Sequence, residues 1–203
     1  MNNGVFKRLF DIAFSTIGLI IFMPVLIIIA LLIKLEDGGP VFFKQSRIGR
    51  YGKKFTILKF RSMSVEEKKY GHGFEPGNKS RITKTGSFIR KTKIDELPQL
   101  VNILTGYMSF VGPRPEVEYW VNKFPEKWKL ILQARPGLTD NASIEFRNEE
   151  NILAESADPA LEYEQNILPR KLVLYEEYIN NNSLICDIKI IFLTIYTLIK
   201  SKN

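Results

Sequence analysis

At 203 residues the chain is long enough for one domain with a sizeable buried core. Its 29 Lys and Arg against 22 Asp and Glu give a net charge of +7, which favours an anionic partner: nucleic acid, acidic lipid headgroups or a phosphorylated small molecule. Cys186 is the only cysteine, which excludes an intrachain disulfide and a cysteine-rich zinc site.

Ile12 to Ile33 is a run of 22 residues without a charged side chain, bounded by Asp11 and Lys34. That length suffices to cross a bilayer core of about 30 Å. A cleaved signal peptide fits poorly, because the run is long and ends in Leu35-Glu36-Asp37 rather than in small residues. Lys7 and Arg8 precede it; Lys34, Lys44, Arg47, Arg50, Lys53, Lys54, Lys59 and Arg61 follow. Bases on both sides ask for both ends in the cytoplasm. Pro24, near the middle, removes a helical hydrogen bond and clashes with the preceding turn. The expectation is a re-entrant helix-break-helix whose arms reach about half-way across the core. A kinked full span is the alternative.

Gly38-Gly39-Pro40 marks a turn, and Val41–Gln45 and Phe55–Phe60 flank Gly49-Arg50-Tyr51-Gly52 as a β-hairpin with a basic tip. That tip suits lipid headgroups, a nucleotide phosphate or plain solvent. Residues 64 to 80 are expected to form a polar loop; His72 inside it, the only histidine, has no assigned role. Helices are expected from about Lys84 or Gly86 to Ile94 and from about Leu97 to Leu104, the second with Pro98 in its first turn. Asp95 and Glu96 then sit near a helix N-terminus, where the dipole lowers carboxylate pKa values. Residues 117 to 133 read as one amphipathic helix carrying Trp120, Phe124, Trp128 and Leu132, suited to core packing or to a membrane interface. Ser143 to Asn148 is a short ordered segment, and 149 to 180 are helical with loops near Pro159 and Pro169. Leu184 to Lys200 is a second apolar helix, interrupted by Asp187 and Lys189 and lying at the interface. The fold class is α+β, mostly helical, without internal repeats.

The chemistry centres on Asp95-Glu96. The pair is preceded by Arg81, Lys84, Arg90, Lys91 and Lys93 and followed by Arg114, a surround that keeps carboxylates ionised and binds phosphate. An acidic pair in a basic helix is also the pattern of a solvated face making local ion pairs. There is no phosphate-cradling Gly-Lys-Ser/Thr loop and no histidine cluster for zinc, and a serine–histidine–acid triad would need His72. Carboxylates, arginines and lysines remain, which suits phosphate transfer with a hard divalent ion such as magnesium.

Lys7-Arg8-Leu9-Phe10-Asp11, the proline-broken apolar segment, Lys59–Met63, Asp95-Glu96-Leu97-Pro98-Gln99, Met108–Pro115 and Arg135-Pro136-Gly137-Leu138-Thr139 together resemble the bacterial sugar transferase family. These are the small monotopic polyprenol-phosphate phosphoglycosyl transferases, and the resemblance covers nearly the whole chain in order. It implies an enzyme on the cytoplasmic face of the bacterial inner membrane that moves a sugar 1-phosphate from a UDP-sugar to undecaprenyl phosphate and releases UMP, the first membrane step of glycoconjugate synthesis. By the same resemblance Asp95 is the nucleophile of an aspartyl phosphosugar intermediate and Glu96 holds Mg2+. Arg90, Arg114 and Arg147 lie near phosphate or nucleotide, with Lys59 and Arg61 as further substrate-binding candidates. Residues 1–37 become a membrane anchor and 38–203 one cytosolic or interfacial catalytic unit, in contact with membrane lipid and not with nucleic acid. Three positions depart from the family's pattern: Met23 where serine is common, Tyr107 where an acid is, and Asp140 where glycine is. The first bears on how the broken backbone is satisfied, the other two on substrate choice. A non-catalytic membrane-anchored binder of anionic lipid or nucleic acid is the competing reading. The sequence specifies neither the sugar nor the oligomeric state.

Overall fold

The computed structural model describes residues 3–64 and 81–200; His72 and most of the expected polar loop lie outside them. Helix α1 (Asn3–Asp37) contains Pro24 rather than ending at it, so the two expected arms form one helical run of 35 residues. The helix lies against the rest of the chain along its whole length. Near its start Arg8 caps the end of a short helix, donating to Ile103 O at 2.6 Å and Leu104 O at 2.8 Å, and Asp11 accepts from the Phe110 amide at 3.1 Å. Close approach continues at Gly18, where an added Cβ would lie 3.2 Å from Leu100. Ile29 and Ile33 bury against Phe60 and Ile89, and Glu36 accepts from the Lys84 amide at 2.8 Å. The opposite face, including Ile20, Ile21, Ile27, Leu31 and Leu35, is exposed and apolar. Such a continuous apolar surface marks a membrane or partner contact.

Strands β1 (Phe42–Ile48) and β2 (Lys54–Phe60) form the expected antiparallel hairpin, in register from Phe42↔Phe60 to Ile48↔Lys54. Tyr51 and Gly52, both at positive φ, turn the chain at its tip. Helix α2 (Lys84–Lys91) is capped by Thr83, whose hydroxyl accepts from the Gly86 amide at 2.9 Å. A 3₁₀ turn (Ile94–Glu96) leads through Leu97-Pro98 into α3 (Gln99–Leu104). Strands β3 (Ser109–Val111) and β4 (Gly137–Thr139) pair in parallel, with Ser109 opposite Gly137. An added Cβ on Gly137 would fall 2.1 Å from the Gly112 amide nitrogen, so the crossing of these two segments requires glycine.

The expected single helix over 117 to 133 is two helices, α4 (Glu118–Lys123) and α5 (Pro125–Ile131). Pro125 cannot donate to the preceding turn, yet it fits the first turn of a new helix. Trp120 and Trp128, 3% and 2% exposed, are core residues rather than interfacial anchors. They pack with Tyr163, Leu168, Leu172 and Tyr175. Helices α6 (Asn141–Glu145), α7 (Glu149–Glu155) and α8 (Pro159–Glu162) follow. No loop forms at Pro169: a π-helical turn (Tyr163–Ile167) runs directly into α9 (Leu168–Asn181), where the proline occupies the tolerant first turn. Helix α10 (Leu184–Lys200) matches the expected segment; it buries Asp187 and Ile190 and exposes Ile185, Phe192, Ile195 and Ile199.

Candidate active site

Asp95 and Glu96 stand on the tight turn between α2 and α3. Lys93, at φ 58°, takes the left-handed conformation that ends the α2 segment and turns the chain into the 3₁₀ turn. Lys59, on β2, donates to Glu96 Oε1 at 2.8 Å. Arg114, which follows β3, reaches both oxygens of the same carboxylate: Nη2 bonds Oε1 and Nη1 lies 3.4 Å from Oε2. Three segments distant in sequence therefore meet at one carboxylate.

The two acids differ in electrostatic state. Burial pushes the Glu96 carboxyl up, but Arg114 and Lys59 outweigh it and hold the group well below the usual carboxylate range. Burial pushes Asp95 up too, and Glu96 adds to the rise; the charges of Lys59, Lys93 and Arg90 do not cancel it. The expectation that a helix N-terminus lowers both values is thus corrected for Asp95. Its Oδ1 is buried without a hydrogen-bond partner among the described residues, and the residue is 8% exposed. An acceptor oxygen buried without a donor is costly for stability.

The other candidates divide. Arg90 pairs with Glu150 at 2.5 Å and lies 3.4 Å from Ser62 Oγ, while its charge reaches Asp95. Arg61 does not join the dyad: its guanidinium is bidentate to Asp37 at the end of α1 and also bonds Pro40 O at 2.6 Å. It fastens the long helix to the hairpin. Arg147 follows α6 and makes no hydrogen bond or ion pair with another described residue. Pro24 sits in α1, away from this turn in sequence. Asp140, one of the departures, is buried as the N-cap of α6 and accepts from the Ser143 amide at 2.9 Å and from its hydroxyl at 2.7 Å. Tyr107 is exposed and stacks on Phe55 with centroids 5.9 Å apart.

Gln99 closes the Asp95–Gln99 motif but has no role assigned from the sequence. It is 1% exposed, four residues after Asp95, and its Nε2 has no partner among the described residues. A glutamine in a first helical turn otherwise reads as ordinary polar surface, and its burial is visible only in the fold. Among the described residues no group of three or more His, Cys, Asp or Glu gathers that would hold a metal unaided.

A neutralised carboxylate, a second carboxylate with a free buried oxygen, and guanidinium and ammonium groups around them make an anion-handling site. It is carried by a domain fastened to a long apolar helix. The bacterial sugar transferase family model matches residues 2–201, and the chain belongs to this family. It is 39% identical over 197 residues to the UDP-glucose:undecaprenyl-phosphate glucose-1-phosphate transferase of Escherichia coli (strain K12), covering 96% of this chain and 40% of that protein. It is 36% identical to the UDP-N-acetylgalactosamine-undecaprenyl-phosphate N-acetylgalactosaminephosphotransferase of Aeromonas hydrophila, covering 95% of this chain and 43% of that one. The chain thus spans about two fifths of the length of these relatives. The uncharacterized sugar transferase EpsL of Bacillus subtilis (strain 168), 36% identical, is matched over 90% of its length and 98% of this chain.

Proposed function

We propose that this protein is a phosphoglycosyl transferase that moves a sugar 1-phosphate from a UDP-sugar to undecaprenyl phosphate. The observation that carries the proposal is the contrast within the dyad: Glu96 is neutralised by Lys59 and Arg114, while Asp95 keeps a buried oxygen without a partner. The relatives' activities on UDP-sugars and undecaprenyl phosphate point the same way.

In the first displacement an Asp95 carboxylate oxygen attacks the β-phosphorus of the UDP-sugar. The bond from that phosphorus to the bridging anhydride oxygen breaks, UMP departs with the electron pair, and an aspartyl phosphosugar remains. In the second, a phosphate oxygen of undecaprenyl phosphate attacks the same phosphorus, forming the polyprenyl diphosphosugar and restoring the carboxylate. Burial suits Asp95 to this role. A carboxylate whose pKa is raised is a better nucleophile than one held strongly acidic, and a dry site strengthens its attraction to phosphorus. In this reading Arg114 and Lys59, both paired with the adjacent Glu96, and Arg90, whose charge reaches Asp95, offset negative charge on the diphosphate.

The donors present fit magnesium. Mg2+ is usually held by one or two carboxylates together with substrate phosphates, and Glu96 Oε2 and Asp95 Oδ1 are hard oxygens not saturated by the protein. Glu96 is the assigned ligand; when bound, the ion offsets charge on the diphosphate.

The membrane arrangement we propose is re-entrant, with both ends of α1 on the cytoplasmic side and a bend at Pro24. Its support is that Arg8 near one end and Glu36 near the other bond to the same catalytic unit. A cysteine placed at Gly4 in a Cys186→Ser background should resist a membrane-impermeant reagent in intact cells; labelling from outside establishes a full span instead.

The decisive chemical experiment is UMP release from a panel of UDP-sugars with Mg2+ and no lipid acceptor. Wild type is expected to release UMP up to about one equivalent per enzyme, the burst of a covalent intermediate, and Asp95→Asn none. Full release by Asp95→Asn removes the assigned nucleophile.

A further inference from the structure

We infer that the end of α3 remote from the dyad carries a binding site for the phosphate headgroup of an anionic phospholipid, built by Arg8, Arg50 and Arg135. The inference rests on the membrane placement of α1 and not on the transfer chemistry.

Three arginines distant in sequence converge there. Arg8 ends α3 by donating to Ile103 O and Leu104 O, and an added Cβ on the next turn residue, Gly106, would lie 3.3 Å from Arg8 Nη2. Arg135 donates its Nε to Gly106 O at 3.1 Å. Two residues before Arg135, the Gln133 carbonyl accepts from Arg50 Nε at 2.8 Å, and the neighbouring Leu132 carbonyl accepts from the Tyr51 amide at 2.7 Å. The hairpin tip is thus tied to the segment that carries Arg135, and Arg135 to the turn that touches Arg8.

Each tie leaves binding capacity. Arg50 and Arg135 are each held to a backbone carbonyl through Nε, so the two terminal nitrogens of each guanidinium carry no hydrogen bond to another described residue. None of the three arginines forms an ion pair with a described carboxylate. The buried Asp11 carboxyl acts on Arg8 and Arg135 from a distance without pairing with either, so gathering three like charges still costs stability, and a bidentate phosphate oxygen pair offsets it.

The surroundings select a lipid. Leu9 and Val5, beside Arg8 on α1, are exposed, as is Val101 on α3, so the cluster borders the apolar surface of the long helix. Tyr51 and Tyr107 are 65% and 57% exposed, and the Arg50 guanidinium lies 4.5 Å from the Tyr51 ring centroid. Basic residues with amphipathic rings at the rim of an apolar surface are the arrangement that meets acidic headgroups. The dyad precedes the first residue of α3, whereas this cluster lies beyond its last.

The test uses the full chain in detergent, titrated with phosphatidylglycerol or phosphatidylcholine, with bound lipid counted by native mass spectrometry. Wild type is expected to retain phosphatidylglycerol in preference to phosphatidylcholine. Arg50→Gln should weaken phosphatidylglycerol binding about fivefold and Arg50→Gln/Arg135→Gln by more than tenfold, while Arg50→Lys keeps most of it. Arg50 touches the rest of the chain through one backbone bond and its own hairpin, so the single variant should fold, as its tryptophan-fluorescence melt will show. Binding of Arg50→Gln equal to wild type overturns the inference. So does an equal loss in Arg50→Lys, or displacement of the lipid by excess inorganic phosphate, which marks a free-phosphate site. UMP release in the same detergent should be unchanged in Arg50→Gln; its absence from wild type would count against the transfer chemistry alone.

Discussion

Replacing Arg114 by methionine strands half of the charge balance around Glu96. Removing one partner of a buried ion pair costs about 3–5 kcal/mol, because the other charge stays buried and unpaired. Here the Arg114 side chain is 31% exposed and Lys59 remains on the carboxylate, so the expected cost is smaller, about 2 kcal/mol. For a domain of this size about 1 kcal/mol moves the melting temperature by about 2–4 °C, which puts the loss near 4–8 °C. Fluorescence melting in detergent reads it directly, since Trp120 and Trp128 are both buried. Adding Glu96→Gln removes the stranded charge, so the double variant should melt above the Arg114→Met single. The effect also carries a pH signature. Glu96 is held below its ordinary 4.5 in the fold, so the stability it contributes is complete above the unfolded value and fades as pH falls through the folded one. The gap between wild type and Arg114→Met should therefore narrow in strong acid. An Arg114→Met melt within about 1 °C of wild type, or a double variant less stable than either single, refutes the account of Glu96 as a carboxylate neutralised by two cations.

Asp95 carries the opposite sign. Its carboxyl is raised above 3.8, so its charged form is disfavoured in the fold, and Asp95→Asn should melt at or above wild type at neutral pH while losing UMP release. The acid limb of kcat/KM for UMP release should correspondingly fall at a pH above that of an ordinary aspartate. Gly137→Ala drives a methyl group into the Gly112 backbone and should cost about 3 kcal/mol or more, read as a large drop in melting temperature or loss of folded protein. Asp187→Asn strips the charge from a cluster in which Lys7 Nζ lies 2.5 Å from Asp187 and Tyr178 donates to it at 2.7 Å. The expected loss is about 2–3 kcal/mol, together with faster limited proteolysis of α10 as its hold on α1 weakens.

Much of the architecture is local and was therefore legible. An uncharged run of 22 residues, two aromatic-rich runs around a Gly-flanked tip, and an apolar segment from Leu184 to Lys200 each specify an element through neighbours a few residues apart. The dyad was legible for the same reason, as two adjacent acids in a basic stretch. Proline placement was legible in kind but not in effect. Pro24 was expected to interrupt α1 and lies inside it; Pro169 was expected in a loop and opens α9; Pro125 was overlooked and divides α4 from α5. Whether a proline breaks or begins a helix depends on what satisfies the freed carbonyls, and that is decided by packing.

What only the tertiary structure decided is the electrostatic contrast between Asp95 and Glu96. Glu96 is neutralised by Lys59, 37 residues earlier, and by Arg114, 18 residues later, while Arg61, equally promising in sequence, is spent on Asp37. The burial of Gln99 likewise exists only in the fold. The sequence by itself determined that two acids would stand together among bases in a chain with a long apolar helix. Which of them is neutralised, and which is left with a buried oxygen and a raised pKa, follows from desolvation and from charges brought close by the fold, and neither quantity exists until the chain is packed.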